Sequence, residues 1–189
     1  LLPSLILMVL RLLRLIILQL ERRLRMNITK ASIDDLASIM EIVIEAKAYL
    51  KSQNIDQWQD GYPNEEGLLK DIQNNSLYIV KDNDLIIGVF CMGDYEPTYD
   101  VIYKGEWSTN KDYVVVHRFA VRNEYKGKGV AKYIFDYVKK DHDYIRVDTH
   151  PDNKSMIKCL YNNGFTYRGE IFLNRSGFNL RNAYDYLSN

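Results

Sequence analysis

The segment 126–131, with the sequence KGKGVA, is the feature of the chain that most constrains its fold. It follows a run typical of a strand, 113–121, and it opens an amphipathic run typical of a helix, 130–140. The first N–H groups of a helix have no intrahelical acceptor, and the helix dipole adds partial positive charge there. Gly127 and Gly129 let the backbone approach an anion without interference from a Cβ atom. The sequence therefore predicts a phosphate-binding turn between a strand and a helix.

Three phosphate-binding motifs compete as interpretations of this turn. A Walker loop requires Ser or Thr after its Gly-Lys pair, and Lys128 is followed by Gly129 instead. A Rossmann fingerprint requires a third glycine where this chain has Lys132, although Asp148 lies 19 residues beyond Gly129, near the place of a ribose-binding acid. The third interpretation is a turn that binds the pyrophosphate of acetyl-CoA. The first motif is excluded, and the other two remain open on the turn alone.

Four segments in order extend the pattern beyond the turn. They are 117–121 (HRFAV), 126–131, 148–153 (DTHPDN) and 160–165 (LYNNGF). The second matches [QR]-x-x-G-x-[GA] with Lys at its first position. The fourth matches L-Y-x-x-x-G-F with one residue fewer in the spacer. With these segments the chain resembles the GNAT superfamily of acetyl-CoA-dependent N-acetyltransferases, from Met26 to its end.

The resemblance implies a fold and a cofactor site. It implies an α/β (α+β) fold with a mixed, mostly antiparallel sheet of six to seven strands flanked by helices, formed by residues 26–189 as one GNAT-like acetyltransferase domain. Acetyl-CoA is the implied co-substrate. Asn153 is a candidate contact for its pantetheine arm, or simply the cap of the helix that follows. The implied cofactor-binding residues are Phe119, Ala120, Val121, Lys126, Gly127, Lys128, Gly129, Val130, Ala131, Lys132 and Asn153.

Acetyl transfer needs a neutral amine and a proton for the departing thiolate. The resemblance places the proton donor at Tyr161, whereas a helical tyrosine is also typical of an amphipathic core. The base is left open among Glu96, His117, Asp148 and an ordered water molecule. His117 alternates with two apolar neighbours on its strand and is equally typical of a packed histidine. Asp148 is equally suited to cap the turn after it.

Two aromatic residues, Trp58 and Tyr62, follow the first helix of the domain. In GNAT-like proteins this loop varies with the substrate, so both are expected to form walls of the acceptor cleft. A small apolar cluster beneath the loop is the alternative. The predicted function is transfer of an acetyl group to a primary amine of a small molecule or peptide. A non-catalytic acyl-CoA-binding sensor or interaction module is the alternative, and a homodimer is compatible with either function.

Charge and cysteine content narrow the functional class. Residues 1–25 hold five Arg and one Glu out of 25 basic and 25 acidic side chains, which leaves 20 against 24 and a net charge of −4. A mildly acidic domain is unsuited to nonspecific nucleic-acid binding. Its positive charge is expected to gather at the turn, as an anion site. The residues concerned are Arg118, Arg122, Lys126, Lys128 and Lys132.

The histidines and cysteines indicate neither a metal site nor a disulfide. The three histidines have no metal-ligand spacing. Cys91 and Cys159 lie in apolar runs and are expected to be free thiols of a reducing compartment, which predicts a cytoplasmic protein.

Residues 1–25 form a leucine-rich segment that is expected not to belong to the domain. Arg11 and Arg14 interrupt its apolar run, and each costs about 2.5–3.5 kcal/mol at a bilayer centre. No small-residue cleavage site precedes Glu21. Met26 is the expected natural start, with the preceding segment a translation extension, so no membrane partner is predicted. A membrane-surface helix is the alternative if the segment is native.

Overall fold

A seven-stranded sheet runs through the centre of the protein. The computed structural model describes residues 2–174 and 179–188. The strands are β1 (Met26–Lys30), β2 (Leu77–Asp82), β3 (Leu85–Gly93), β4 (Val114–Val121), β5 (Tyr144–Thr149), β6 (Thr166–Phe172) and β7 (Leu180–Leu187). They lie in the order β1-β2-β3-β4-β5-β7-β6, and only β4 and β5 are a parallel pair. The predicted mixed, mostly antiparallel sheet is confirmed.

Helices cover both faces of the sheet. The described helices are α1 (Leu2–Arg25), α2 (Leu36–Ser52), α3 (Glu65–Gln73), α4 (Val130–Asp141) and α5 (Lys154–Asn162). Of these, α2 to α5 cover the sheet. Successive strand residues point to opposite faces. Accordingly, Ile79 of β2 packs in the core cluster that contains Ile39 of α2, whereas Val80 packs in the cluster that contains Phe135 of α4. The sheet is therefore buried between α2 and α3 on one side and α4 and α5 on the other.

The loop 94–113 between β3 and β4 is fastened to the opposite part of the sheet by buried charged groups. Asp185 of β7 is only 1% exposed and accepts hydrogen bonds from Ser108 N (2.9 Å) and Ser108 Oγ (3.0 Å). Arg146 of β5 donates from Nη2 to the Thr109 carbonyl oxygen at 3.0 Å. Burying a charge is tolerable only when its hydrogen-bonding capacity is used. These contacts hold the long polar loop in one place, next to the centre of the sheet.

Helix α1 leads directly into β1. Its described side chains over residues 6–18 are exposed, and Arg25 Nε lies 3.5 Å from Asp82 Oδ1. None of the helices within the described ranges combines the length and the apolar character needed to cross a membrane. The expectation that residues 1–25 lie outside the domain stays a prediction.

The parallel pair β4–β5 is short. Its register joins Val114 to Ile145 and Val115 to Arg146, near the start of both strands. Both strands continue beyond these pairs, β4 to Val121 and β5 to Thr149. Because no further pairs join them in the described structure, their second halves separate and leave a gap in the sheet.

Phe135 of α4 is the aromatic centre of the core beneath this gap. It is fully buried, and its ring stacks on Phe119 of β4 at 5.1 Å and meets Phe165 at 4.8 Å between centroids. We expect Phe135→Ala to lower the free energy of unfolding by about 3–5 kcal/mol, because it leaves a cavity. Urea denaturation measures this change. Lys140→Ala, on the exposed face of the same helix, should shift it by less than about 0.5 kcal/mol. An equal loss of unfolding free energy in the two variants would contradict the described packing.

Candidate active site

A cleft of about 530 Å³ occupies the gap between β4 and β5. The separating halves of these strands form its floor, and it is bordered by α2, the loop after α2, the turn before α4, and α5. It is lined by all the predicted cofactor-binding residues except Lys128 and by all the predicted acceptor-side residues. The first group comprises Phe119, Ala120, Val121, Lys126, Gly127, Gly129, Val130, Ala131, Lys132 and Asn153, and the second Trp58, Tyr62, Glu96, His117 and Asp148. Whether each contacts a ligand stays a prediction.

The turn before α4 has the backbone geometry of an anion site. Gly127 and Gly129 have φ angles of +73° and +88°, which a side chain rarely adopts, and Gly129 is the N-cap of α4. The first helical hydrogen bond runs from Tyr133 N to the Gly129 oxygen, so the N–H groups of Val130 and Ala131 precede it without an intrahelical acceptor. A Cβ atom at either glycine would meet no described atom within 4 Å. A diphosphate therefore fits against this turn.

The lysines of the turn are held in different ways. Lys126 places its Nζ atom 3.5 Å from the centre of the Tyr49 ring, and burial lowers the pKa of this lysine. Lys128 lies over the Tyr125 ring at 5.2 Å. Lys132 pairs with the Asp136 carboxylate at 2.8 Å on the same helix. Lys126 is thus the lysine best placed to face the cleft, because it lines the cavity and is held against α2.

Two arginines expected to add charge to the turn form ion pairs elsewhere. Arg122 lies 2.7 Å from Glu41 and 3.0 Å from Glu45, both on α2. Arg118 Nε lies 3.0 Å from Asp71 Oδ2 on α3. Both arginines thus have carboxylate partners outside the turn, and their place in an anion site stays a prediction. They fasten β4 to the helices on one face of the sheet.

Arg118 also marks a bulge in β4. Its φ angle of +49° is unusual for a residue with a side chain, and the β3–β4 register shifts between Val89 and Cys91 at this point. Its guanidinium lies 5.1 Å from the centre of the Tyr62 ring. The bulge therefore lies where β4 borders the cleft, and one arginine connects it to both α3 and the loop after α2.

Asn153 joins α5 to the loop after α2. Its Oδ1 atom accepts a hydrogen bond from Met156 N at 3.1 Å, so it caps the helix as the sequence predicts. Its Nδ2 atom donates to Gln57 Oε1 at 3.0 Å, and the same oxygen accepts a longer bond from His150 N at 3.4 Å. Sequence reasoning missed Gln57. A single amide in a polar loop carries no sequence pattern that identifies such a bridge.

The loop after α2 is anchored so that its aromatic residues border the cleft. Lys47 Nζ donates to the carbonyl oxygens of Gly61 (3.0 Å) and Pro63 (2.7 Å). Trp58 adopts a φ angle of +67°, and both Trp58 and Tyr62 line the cavity. The alternative that these rings only form a cluster beneath the loop applies in part to Trp58, which also packs on the core beside α2.

The three candidate bases meet at the floor of the cleft. His117 Nε2 lies 3.3 Å from Glu96 Oε2, and His117 Nδ1 lies 3.7 Å from Asp148 Oδ1. The close imidazole of His117 is the main cause that lowers the pKa of Glu96 to about 2. Tyr99, which sequence reasoning missed, donates its hydroxyl hydrogen to Asp148 Oδ1 at 2.7 Å. The residues come from β4, β5 and the loop 94–113, so only the fold brings them together.

Tyr161 lies outside the set of residues that line the cleft. Its side chain is 53% exposed and meets the Tyr184 ring edge-on at 5.7 Å. The spacer before Gly164 is one residue shorter than in the family pattern, and one residue turns an α-helix by about 100°. The position four residues before Gly164 is therefore Leu160, which is fully buried. The role of Tyr161 as proton donor stays a prediction.

The sequence also matches a known family. Residues 40–165 match the description "Acetyltransferase (GNAT) family". This match covers more than half of the chain, which therefore belongs to the GNAT family of acetyltransferases. No curated protein matches the chain significantly in sequence. Membership in this family makes the protein an acyltransferase with acetyl-CoA as its co-substrate.

Solved structures agree with this assignment. A GNAT-family acetyltransferase from Streptococcus agalactiae 2603 is 29% identical, with a TM-score of 0.81, over 87% of this chain and 96% of that chain. A GNAT-family acetyltransferase from Bacillus cereus ATCC 10987 is 22% identical, with a TM-score of 0.60, over 87% and 98%. YncA from Salmonella typhimurium, solved with its cofactor acetyl-CoA, is 16% identical, with a TM-score of 0.60, over 87% and 95%. The last two show the common fold alone.

The glycine turn can be tested with two substitutions at one position. We expect Gly129→Asp to weaken CoA binding on the order of 100-fold, because a carboxylate would face the diphosphate at the helix start. Isothermal titration calorimetry with CoA measures the dissociation constant. Gly129→Asn introduces a side chain of the same shape and the same backbone strain without the charge, so it should bind CoA more tightly than Gly129→Asp. Equal affinities for the two variants would argue against a diphosphate at this turn.

Proposed function

We propose that the protein transfers the acetyl group of acetyl-CoA to a primary amine of a small molecule or peptide. The observation that carries this proposal is a single cleft with an anion-binding turn at one part and a histidine between two carboxylates at another. A diphosphate and an amine are the two chemical groups that these parts suit. The gap between β4 and β5 connects them.

Each part of the cleft has a chemical task in this reaction. The N–H groups at the start of α4 bind the diphosphate of acetyl-CoA, and the free edge of β4 at residues 119–121 offers hydrogen bonds to its pantetheine arm. A backbone N–H of this edge stabilises the negative charge that develops on the thioester oxygen. The amine attacks the carbonyl carbon directly, the C–S bond breaks, and the CoA thiolate leaves. The acceptor approaches between Trp58 and Tyr62.

The protein is proposed to work in a reducing compartment, the cytoplasm, because Cys91 and Cys159 are both free thiols. Burial raises the pKa of the Cys159 thiol to about 11, so it is protonated and unreactive near neutral pH although it lines the cleft. This supports direct attack by the amine over an acetyl-cysteine intermediate. A homodimer stays a prediction.

An amine panel tests the proposed function. We expect release of the CoA thiol from acetyl-CoA, followed with a thiol-reactive dye, when the protein is given spermidine, 2-phenylethylamine, lysine or a short peptide with a free N-terminus. The amine that gives the fastest release identifies the acceptor class. CoA binding without thiol release from any amine would contradict the enzyme and favour the alternative of an acyl-CoA-binding sensor.

The role of Tyr161 is tested by removing its hydroxyl group. If this residue protonates the thiolate, Tyr161→Phe keeps the affinity for CoA and lowers kcat by about 100-fold or more. Tyr167→Phe is the matched control, because Tyr167 also meets the Tyr184 ring edge-on at 5.7 Å. We expect kcat to be unchanged in the control. Wild-type turnover in both variants would assign the proton to solvent or to a residue that lines the cleft.

A further inference from the structure

We infer that His117 is the base that removes the proton from the acceptor, and that Glu96 and Asp148 on either side of it select an acceptor that arrives as a cation. This inference rests on the proposed function and deepens it. It assigns the general base, and it narrows the acceptor class to amines that are protonated near neutral pH, such as alkylamines and polyamines.

The position of the imidazole is the first argument. His117 lines the cleft, and its side chain is 24% exposed, so one part of the ring is open to the cavity. Its Nε2 atom is buried and has no well-aligned hydrogen bond, although Glu96 Oε2 lies 3.3 Å away. A histidine that serves only the core has its buried nitrogen satisfied. Here Nε2 faces Glu96, so Nδ1, on the side of Asp148, is the nitrogen that takes the proton from the acceptor.

The two carboxylates are fixed by other groups, which leaves them no freedom to turn away. Glu96 Oε1 accepts hydrogen bonds from Thr98 N (3.1 Å) and Thr98 Oγ1 (2.8 Å), so Oε2 is the atom that faces the imidazole. Asp148 Oδ1 accepts a hydrogen bond from Tyr99 OH at 2.7 Å. Burial and the neighbouring Asp148 carboxylate raise the pKa of Tyr99 well above its usual range, so this hydroxyl remains a donor.

Three carboxylates lie around the ring. Glu96, whose pKa is lowered to about 2, is ionised at every working pH. Asp148 faces the other nitrogen, and Asp71 on α3 adds a more distant negative charge that is paired with Arg118. Carboxylates that converge on one part of a cleft attract a cationic acceptor. Of the positive groups in the cleft, Arg118 is held by its ion pair and Arg181 reaches the cleft from β7.

The proton transfer balances with these groups alone. The acceptor enters as an ammonium ion and is attracted by the carboxylates. One ammonium N–H bond breaks and one N–H bond forms on the imidazole, so the positive charge moves from the acceptor to the ring between Glu96 and Asp148. The freed lone pair of the amine then attacks the thioester carbon. The imidazolium later returns its proton to solvent through the exposed part of the ring.

Two nucleophiles distinguish a His117 that acts as a base from a His117 with only a structural role. 2-Phenylethylamine is protonated near neutral pH and needs a base, whereas O-methylhydroxylamine is neutral and does not. We expect His117→Ala to lower kcat/KM by about 100-fold or more for the first nucleophile and only a few-fold for the second. Added imidazole should restore activity toward 2-phenylethylamine. His142→Ala, a histidine outside the cleft lining, should behave as wild type with both nucleophiles.

The carboxylates are tested in the same assay. Glu96→Gln and Asp148→Asn each keep the shape of the side chain and remove its charge, so both should raise KM for 2-phenylethylamine and leave O-methylhydroxylamine nearly unaffected. CoA titration by calorimetry checks that each variant is folded, and His117→Gln replaces His117→Ala if the latter does not bind CoA. Equal losses with both nucleophiles, without rescue by imidazole, would overturn the assignment of His117 while leaving the proposed function intact. A wild-type protein that binds CoA but releases its thiol with none of the amines of the panel would overturn both.

Discussion

The short pairing between β4 and β5 is the constraint on which the site depends. Two parallel strands that stayed paired to their ends would close the sheet and bury both edges. Here the register ends after Val115 and Arg146, and beyond it the edges of β4 and β5 that face each other have no partner strand in the described structure. The bulge at Arg118, fastened to Asp71, keeps β4 turned away from its neighbour. The open edges then form a cleft that backbone hydrogen-bonding groups line on both sides.

Buried charges keep the surrounding segments in register with this gap. Asp185 and Arg146 hold the loop 94–113 by hydrogen bonds to Ser108 and Thr109. Arg122 fastens the end of β4 to α2 through two carboxylates. Removing one partner of such a contact leaves an uncompensated buried charge, which costs more than the contact itself contributes. The shape of the cleft is therefore set in part by residues outside its lining.

The sequence predicts local features of this protein better than distant ones. The turn at Gly127 and Gly129 and the cap at Asn153 depend on residues near in sequence, so their chemistry is visible in the chain. The assembly of Glu96 with His117 joins segments far apart in sequence, and only the sheet places them side by side. Tyr161 shows a third case, because the motif match identifies this residue while its side chain lies outside the residues that line the cleft. The sequence shows that Arg118 and Arg122 lie near the turn, but it cannot show that their carboxylate partners lie on α2 and α3.

The hydrogen bond between Gln57 and Asn153 has a consequence for the order of events in the cleft. One amide belongs to the loop that borders the acceptor, and the other caps the helix that borders the coenzyme. A ligand that orders one side of the cleft would therefore also order the other side, and part of its binding free energy would be used there. By thermodynamic reciprocity the second ligand gains the same factor in affinity that it gives to the first. The Gln57 amide, whose oxygen accepts hydrogen bonds from both Asn153 and His150, is thus the link through which such a coupling would pass.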